Sequence, residues 1–271
     1  MEFQGKKIRD QILTDLTERV KKLGYKPTLV AIWVGEDFAT ARYIEAKQRV
    51  AENLGIHFDL IKYPANVTTE EIEQKIIELN NNNQVTGIMI QLPLPEQISQ
   101  MELITTIDQN KDVDALRFCS ELSCSFRPPT VLAILEAIKE SGVNIKEKII
   151  AVIGKGFLVG SPLIQTLHGK VADLRIADST TLYLGTITLD ADVVISAVGK
   201  PEIIKANMVK DGVILIDAGT SELKGSLSGD FNPRAYSKAS FYTPVPGGIG
   251  PVTIAMLMRN LVTAAEKHKN V

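Results

Sequence analysis

Apolar residues recur at helical spacing from residue 6 to residue 23, where Ile8, Ile12, Leu16, Val20 and Leu23 share one face. The stretch is predicted to be an amphipathic helix. "TLVAIWV" (28–34) abandons that rhythm for a near-continuous apolar run, as a strand buried on both faces requires. A helix near 38–54 follows, then a strand near 57–63. A helix near 69–81 starts behind the cap-forming "TTEE", and "TGIMIQL" supplies a further strand. This βαβα alternation predicts a parallel sheet with helices on both faces. The rhythm is lost over 108–130, "DQNKDVDALRFCSELSCSFRPPT". A helix at 131–141 then opens a second alternating set, with strands predicted at "KIIAVIG", "VADLRIAD", "DVVISAV" and "GVILIDAG". The expected fold class is therefore α/β, two domains with parallel sheets, the second a Rossmann-type dinucleotide-binding domain. The expected boundaries are 1–125 plus a C-terminal helix 252–271 for the first domain and 126–251 for the second.

Composition narrows the classes. The 271 residues are 45% hydrophobic and 23% charged, an ordinary globular balance. Thirty Lys and Arg stand against 32 Asp and Glu, for a net charge of −2. No basic block or basic–aromatic run stands out, so no nucleic-acid partner is expected. The two cysteines, Cys119 and Cys124 in "CSELSC", read as free thiols. His57, His168 and His268 are scattered, so no metal site is expected. "MEFQGKKIRDQIL" carries no apolar signal core and no 18-residue apolar run occurs, so a cytoplasmic protein without a membrane partner is expected.

Candidate chemistry gathers at strand ends. "IIAVIGKGFLVGSP" puts Gly154, Gly156 and Gly160 between an apolar strand and a helix, in the spacing G-x-G-x-x-x-G. Glycines there let backbone approach a pyrophosphate, and the helix start offers free N–H groups and a positive dipole. The plainer reading is a tight strand–helix turn. Asp178 and Ser179 end the next strand, 18 and 19 residues after Gly160. An acidic residue there accepts from a ribose 2′-hydroxyl, whereas a lysine and a serine hold a 2′-phosphate, so Lys155 and Asp178 pull in opposite directions. "SAVGKP" (196–201) is a small-residue turn suited to backbone approach toward a nicotinamide. In the first domain Tyr43 and Lys47 are four apart on one helix face. Gln91 ends a strand in "QLPLP", and "KDVD" (111–114) puts Asp112 and Asp114 in the connecting loop. Each has a bland reading: a solvated lysine, a tyrosine with a wet hydroxyl, a strand-end glutamine, carboxylates that cap. Ligands of open α/β sheets bind beyond the carboxyl ends of strands, where Gln91 and the Asp loop fall. A desolvated lysine there suits proton transfer. "YTPVPGGIGPVTIAMLMRN" (242–260) adds a rigid loop with three prolines and three glycines in its first ten residues.

Taken in order, "YIEAKQRVAENLGI", "GIMIQLPLPEQI", "KDVDA", "VIGKGFLVGSP", "ADVVISAVGKP", "GVILIDAG" and "TPVPGGIGPVTIAMLMRN" resemble the successive motifs of the bifunctional methylenetetrahydrofolate dehydrogenase/methenyltetrahydrofolate cyclohydrolase family. The resemblance covers nearly the whole chain. It implies oxidation of 5,10-methylenetetrahydrofolate with NAD(P), then hydrolysis of the methenyl product to 10-formyltetrahydrofolate, and a homodimer joined through the nucleotide domain. By motif position it makes Lys47 the catalytic lysine, Tyr43 its partner and Gln91 the glutamine bonded to it. Asp114 becomes the carboxylate that grips the pterin. Pro246, Gly247 and Gly248 become a substrate wall, and Val198, Gly199 and Ile249 join Gly154, Lys155, Gly156, Gly160, Asp178 and Ser179 in holding the cofactor. That cofactor is expected to be NADP, with NAD as the alternative.

The chain departs from the family pattern in places. It reads "KDVDA" where the family has "KDVDG", and a shorter loop leads to "PPTV" where the family has "PCTP". Lys155-Gly156 replaces Arg-Ser, Asp178 replaces a histidine, and "GTS" (219–221) replaces "GIN". These leave two alternatives open: a monofunctional NAD-dependent dehydrogenase, which Asp178 favours, and a non-catalytic folate- or nucleotide-binding relative, against which Lys47 argues.

Overall fold

The computed structural model describes residues 1–120, 122–223 and 226–269. Its contacts divide the chain into two units, one of Asp10–Pro129 with Ile254–Val271 and one of Met1–Arg9 with Thr130–Thr253. In chain order the first half carries helix α1 (Gly5–Leu23), strand β1 (Thr28–Val34), α2 (Phe38–Asn53), β2 (His57–Tyr63), α3 (Thr69–Asn81), β3 (Gly87–Ile90), α4 (Gln100–Thr106) and α5 (Leu116–Cys119). The second half carries α6 (Pro129–Glu140), β4 (Ile149–Ile153), α7 (Gly160–Leu167), β5 (Asp173–Ala177), α8 (Gly185–Thr188), β6 (Val193–Ser196), β7 (Val213–Asp217), β8 (Ser221–Leu223), β9 (Ser226–Ser228), β10 (Ala239–Tyr242) and α9 (Ile249–Lys269).

The Asp10–Pro129 unit is built on a parallel sheet of order β2-β1-β3. β1 is central, and its apolar run is buried from Leu29 to Val34 because neither face meets water. α3 starts on a capping box: Thr68 accepts from the Glu71 N–H, and the Glu71 carboxylate accepts from the Thr68 N–H. The core joins Leu16, Ala31, Trp33, Ile44, Met89 and Val113 to Leu257 and Leu261 of α9. Gly87 makes this packing possible, since a Cβ there would stand 2.6 Å from Leu261 and 2.8 Å from Val113. Asn260 of α9 donates to the carbonyls of Val113 (2.8 Å) and Arg127 (2.9 Å), fixing both ends of the 108–130 loop region.

The Thr130–Thr253 unit has a five-stranded parallel sheet of order β10-β7-β6-β4-β5. The chain leaves β4 to β5 on one side and returns to β6 on the other, so a topological switch point lies between β4 and β6. β10 and the β8–β9 hairpin lie outside the predicted strands. "ASFY" is too short to register as an apolar run, and its strand exists because it pairs with β7 and with the N-terminal residues. Phe3 N–H donates to the Tyr242 carbonyl at 2.8 Å, and Tyr242 N–H donates to the Met1 carbonyl at 3.0 Å. Met1–Arg9, expected from the sequence in the first domain, group in the contacts with this unit.

Candidate active site

Asp37 caps α2 by accepting from Thr40 N–H at 2.7 Å. Tyr43 and Lys47 then lie one turn apart, and Tyr43 is half exposed. Gln91 directly follows β3 and is pinned at its backbone, where its N–H donates to the Ile32 carbonyl at 2.8 Å. Its side-chain NH2 donates to the Leu92 carbonyl at 2.8 Å, which commits the amide and leaves its oxygen to accept from Lys47 Nζ at 3.0 Å. Lys47 is partly exposed as a residue, yet its amine is desolvated. That desolvation lowers the Lys47 pKa, and the nearby Asp114 charge opposes the shift. Burial likewise raises the Asp114 carboxyl, with Lys47 opposing.

The loop before α5 separates its three charged residues. Lys111 is buried, and its ammonium donates to the carbonyls of Leu79 (2.9 Å), Asn80 (2.7 Å) and Asn82 (2.8 Å) at the end of α3. Asp112 is fully buried and accepts from the N–H groups of Leu116 (3.1 Å) and Arg117 (2.8 Å), capping α5; burial pushes it up to about 6. Asp114 alone of the three makes no hydrogen bond among the described residues, and it stays partly exposed. The capping role weighed for both carboxylates thus belongs to Asp112. Ala115 follows with φ 57° and ψ 40°, a left-handed conformation that costs a residue with a Cβ about 1–2 kcal/mol. The substitution of Ala for Gly in "KDVDA" falls on this position. Lys111 is not among the residues singled out from the sequence, because it sits between Asn110 and Asp112, far along the chain from the α3 end it caps, and no local pattern marks that contact.

Gly154, Lys155, Gly156, Gly160, Asp178, Ser179, Val198, Gly199, Pro246, Gly247, Gly248 and Ile249 all lie in the other unit. Gly154 follows β4 at φ +97°, and a Cβ on it would stand 2.7 Å from the Ala197 carbonyl, so the turns after β4 and β6 touch at the switch point. Gly160 starts α7 against the Gly154 backbone, where a Cβ would lie 2.7 Å from the Gly154 carbonyl carbon. Above Gly156 there is open space, and Lys155 is exposed beside it. At the start of α7 Ser161 N–H already donates to the Gly156 carbonyl at 3.0 Å and Pro162 has no N–H, so the glycine turn, the helix dipole and the exposed lysine make the cradle that fits a dinucleotide phosphate. Asp178 is exposed at the end of β5 and accepts from Thr180 through both its N–H (2.9 Å) and its hydroxyl (2.6 Å). These bonds, with a smaller contribution from Lys155, hold its carboxyl below the usual range. Ser179 is exposed beside it. The 244–248 loop turns back on itself, with Gly248 N–H donating to the Pro244 carbonyl at 2.8 Å. Pro246 faces out, while Gly248 and Ile249 are buried.

Residues 3–114 match the family described as the tetrahydrofolate dehydrogenase/cyclohydrolase catalytic domain, and residues 128–269 match its NAD(P)-binding domain. The chain is 39% identical over 277 residues to the bifunctional protein FolD of Aliarcobacter butzleri, covering 98% of this chain and 96% of that one. The crystal structure of the bifunctional FolD methylenetetrahydrofolate dehydrogenase/cyclohydrolase of Campylobacter jejuni superimposes with a TM-score of 0.94 at 32% identity, covering 98% of this chain and 99% of that one. That of the Trypanosoma brucei enzyme, complexed with NADP and an inhibitor, gives 0.91 at 31% identity, over 98% and 97%.

Proposed function

The chain belongs to the tetrahydrofolate dehydrogenase/cyclohydrolase family, and from that premise we propose how its residues divide the work. The protein is a bifunctional enzyme that oxidises 5,10-methylenetetrahydrofolate with NADP and hydrolyses the methenyl product to 10-formyltetrahydrofolate. The observation that carries the assignment of roles is the desolvated Lys47 amine, 3.0 Å from a fixed Gln91 oxygen and facing an Asp114 carboxylate without hydrogen-bond partners among the described residues.

In the hydrolysis Lys47 is the proton carrier. Its lowered pKa raises the share of neutral amine, which takes a proton from water as the oxygen adds to the methenyl carbon. The resulting ammonium returns that proton to N5 as the C–N5 bond breaks, and the formyl group remains on N10. The carbinol proton leaves to solvent, which balances the charge of the methenyl cation. Gln91 aims the amine, and its own amide is aimed by Leu92. Tyr43, one turn away, borders the same substrate. Asp114 accepts from the N–H edge of the pterin. Pro246, Gly247 and Gly248 offer a rigid backbone wall, held by the Gly248–Pro244 bond, that limits substrate movement during hydride transfer.

NADP, when bound, supplies the hydride acceptor. Gly154, Gly156 and Gly160 take the pyrophosphate, Lys155 and Ser179 the 2′-phosphate, and Val198, Gly199 and Ile249 the nicotinamide end. Asp178 opposes the phosphate, but its carboxylate is engaged with Thr180, which favours NADP over NAD. The enzyme acts as a homodimer. The edge strand β5 exposes Ile176, and the segment that follows exposes Leu182, Tyr183 and Leu189, an apolar face that a second copy would cover. Its free thiols, Cys119 and Cys124, suit the reducing cytoplasm. Among the described residues no helix is long and apolar enough to cross a membrane.

Lys47→Met tests the central role. Hydrolysis of methenyltetrahydrofolate should fall by at least about 100-fold, while NADP binding should persist. Hydrolysis at the wild-type rate would remove Lys47 from the mechanism.

A further inference from the structure

Asp217 and Asp230 are both fully buried in the nucleotide-binding unit, and neither belongs to the site as described above. The Asp230 carboxylate is ringed by donors. Its Oδ2 accepts from the Ser196 hydroxyl (2.6 Å) and from the N–H groups of Val198 (2.8 Å) and Gly199 (3.3 Å), and its Oδ1 accepts from Lys200 N–H (2.9 Å). Three consecutive backbone N–H groups around Gly199, at φ +74°, form a nest of the kind that binds anions. Here the protein's own carboxylate fills it. The backbone of Val198, Gly199 and Lys200 is thereby held by its N–H groups.

A second tier holds Asp230 itself. Asp217 ends β7 and accepts from Phe231 N–H (3.1 Å) and Gly219 N–H (3.0 Å). Asp230 gives its backbone carbonyl to Ile204 N–H at 3.0 Å. Asp217 N–H in turn donates to the Thr243 hydroxyl at 2.7 Å, at the root of the 244–248 loop. Burial and the adjacent Asp230 push the Asp217 carboxyl up to about 7, while the hydrogen-bond donors converge on Asp230. The Asp230 carboxylate thus fixes the turn after β6, while Asp217 holds the adjacent Phe231 N–H with its carboxylate and the root of the proline–glycine loop with its backbone N–H.

We propose that Asp230 is the positioning residue for the nicotinamide end of the cofactor, acting through the backbone of Val198–Lys200 and not by contact with the cofactor. The inference rests on the reading of the 197–200 turn as the nicotinamide side. It follows that losing Asp230 harms only what lies beyond the ribose phosphates. Asn substitutes poorly, because its NH2 replaces one of the two accepting oxygens and would face at least one backbone N–H, leaving it without an acceptor.

The test compares two ligands on Asp230→Asn and on the milder Ser196→Ala, which deletes one donor and leaves the carboxylate in place. NADP carries a nicotinamide; 2′-phospho-ADP-ribose is the same ligand without it. Calorimetric titration should show NADP weakened about tenfold or more in Asp230→Asn, and 2′-phospho-ADP-ribose unchanged within about twofold. Ser196→Ala should shift the same way by a smaller factor. Hydrolysis of methenyltetrahydrofolate, which uses no nucleotide, should stay at the wild-type rate in both. Equal weakening of the two ligands in Ser196→Ala, or no weakening of NADP in either variant, overturns the proposal. If Asp230→Asn does not fold, Ser196→Ala decides alone. A wild-type protein that binds neither ligand would instead overturn the cofactor reading beneath it.

Discussion

Asp112 and Asp114 are two residues apart, share one chemical type and serve different ends. The first spends its carboxylate on the N–H groups of Leu116 and Arg117, and the second makes no hydrogen bond among the described residues. Asp114→Ala should therefore weaken folate binding by about tenfold or more, the loss of one or two charge-assisted bonds, with little effect on NADP; unchanged folate affinity in a titration would remove it as a ligand contact. In the proposed site, cofactor choice would rest on two residues that oppose each other. Lys155→Ala should lower the kcat/KM preference for NADP over NAD, and Asp178→Ser should raise it, since Asp178 adds a negative charge beside Ser179. Movement of the two ratios in the opposite directions would reverse these assignments. The Tyr43–Lys47 spacing and the strand-end place of Gln91 were legible in the sequence, because helical and strand periods set them. The carboxylates were not separable, because only the fold decides which of them meets the start of α5.

Among the elements, α5 is four residues long and depends on its Asp112 cap. Burial raises the Asp112 carboxyl from its ordinary 3.8 to about 6. The folded chain thus binds the proton more tightly, so the stability Asp112 contributes is full below its ordinary value and is lost as pH rises through about 6. Relative to Asp112→Asn, the wild type should lose stability between about pH 4 and 6, at roughly 1.4 kcal/mol per pH unit. Parallel pH profiles of chemical denaturation would show no role for this carboxyl. Ala115, at φ 57°, sets a steric limit at the same spot: Ala115→Gly should be near neutral, strain relief offsetting the lost methyl burial, whereas Ala115→Val should cost more than about 2 kcal/mol. A Val variant as stable as wild type would mean the turn relaxes. β1 to β3 and α1 to α3 were readable to within a residue or two, because β1, β2 and α3 carry strong periods, whereas the short α4 and α5 were not. β10 was not, since its existence depends on pairing with β7 and the N-terminal residues, contacts that no local pattern encodes.

Across the whole molecule, the proposed homodimer would rest on the apolar edge of the nucleotide-binding unit. Leu182, fully exposed, is its most accessible member. Leu182→Asp should shift the sedimentation equilibrium toward monomer without changing the fold; an unchanged association constant would move the interface elsewhere. The central claim is that one chain performs both steps. It is tested most directly by mixing the purified protein with 5,10-methylenetetrahydrofolate and NADP, and following reduced nicotinamide and the methenyl chromophore separately, with NAD in a parallel run. The expected result is steady formation of NADPH with methenyltetrahydrofolate held well below the amount oxidised, and slower turnover with NAD. Stoichiometric, lasting accumulation of the methenyl form would make the enzyme a dehydrogenase alone, and NAD favoured by more than about tenfold would give the pocket to Asp178.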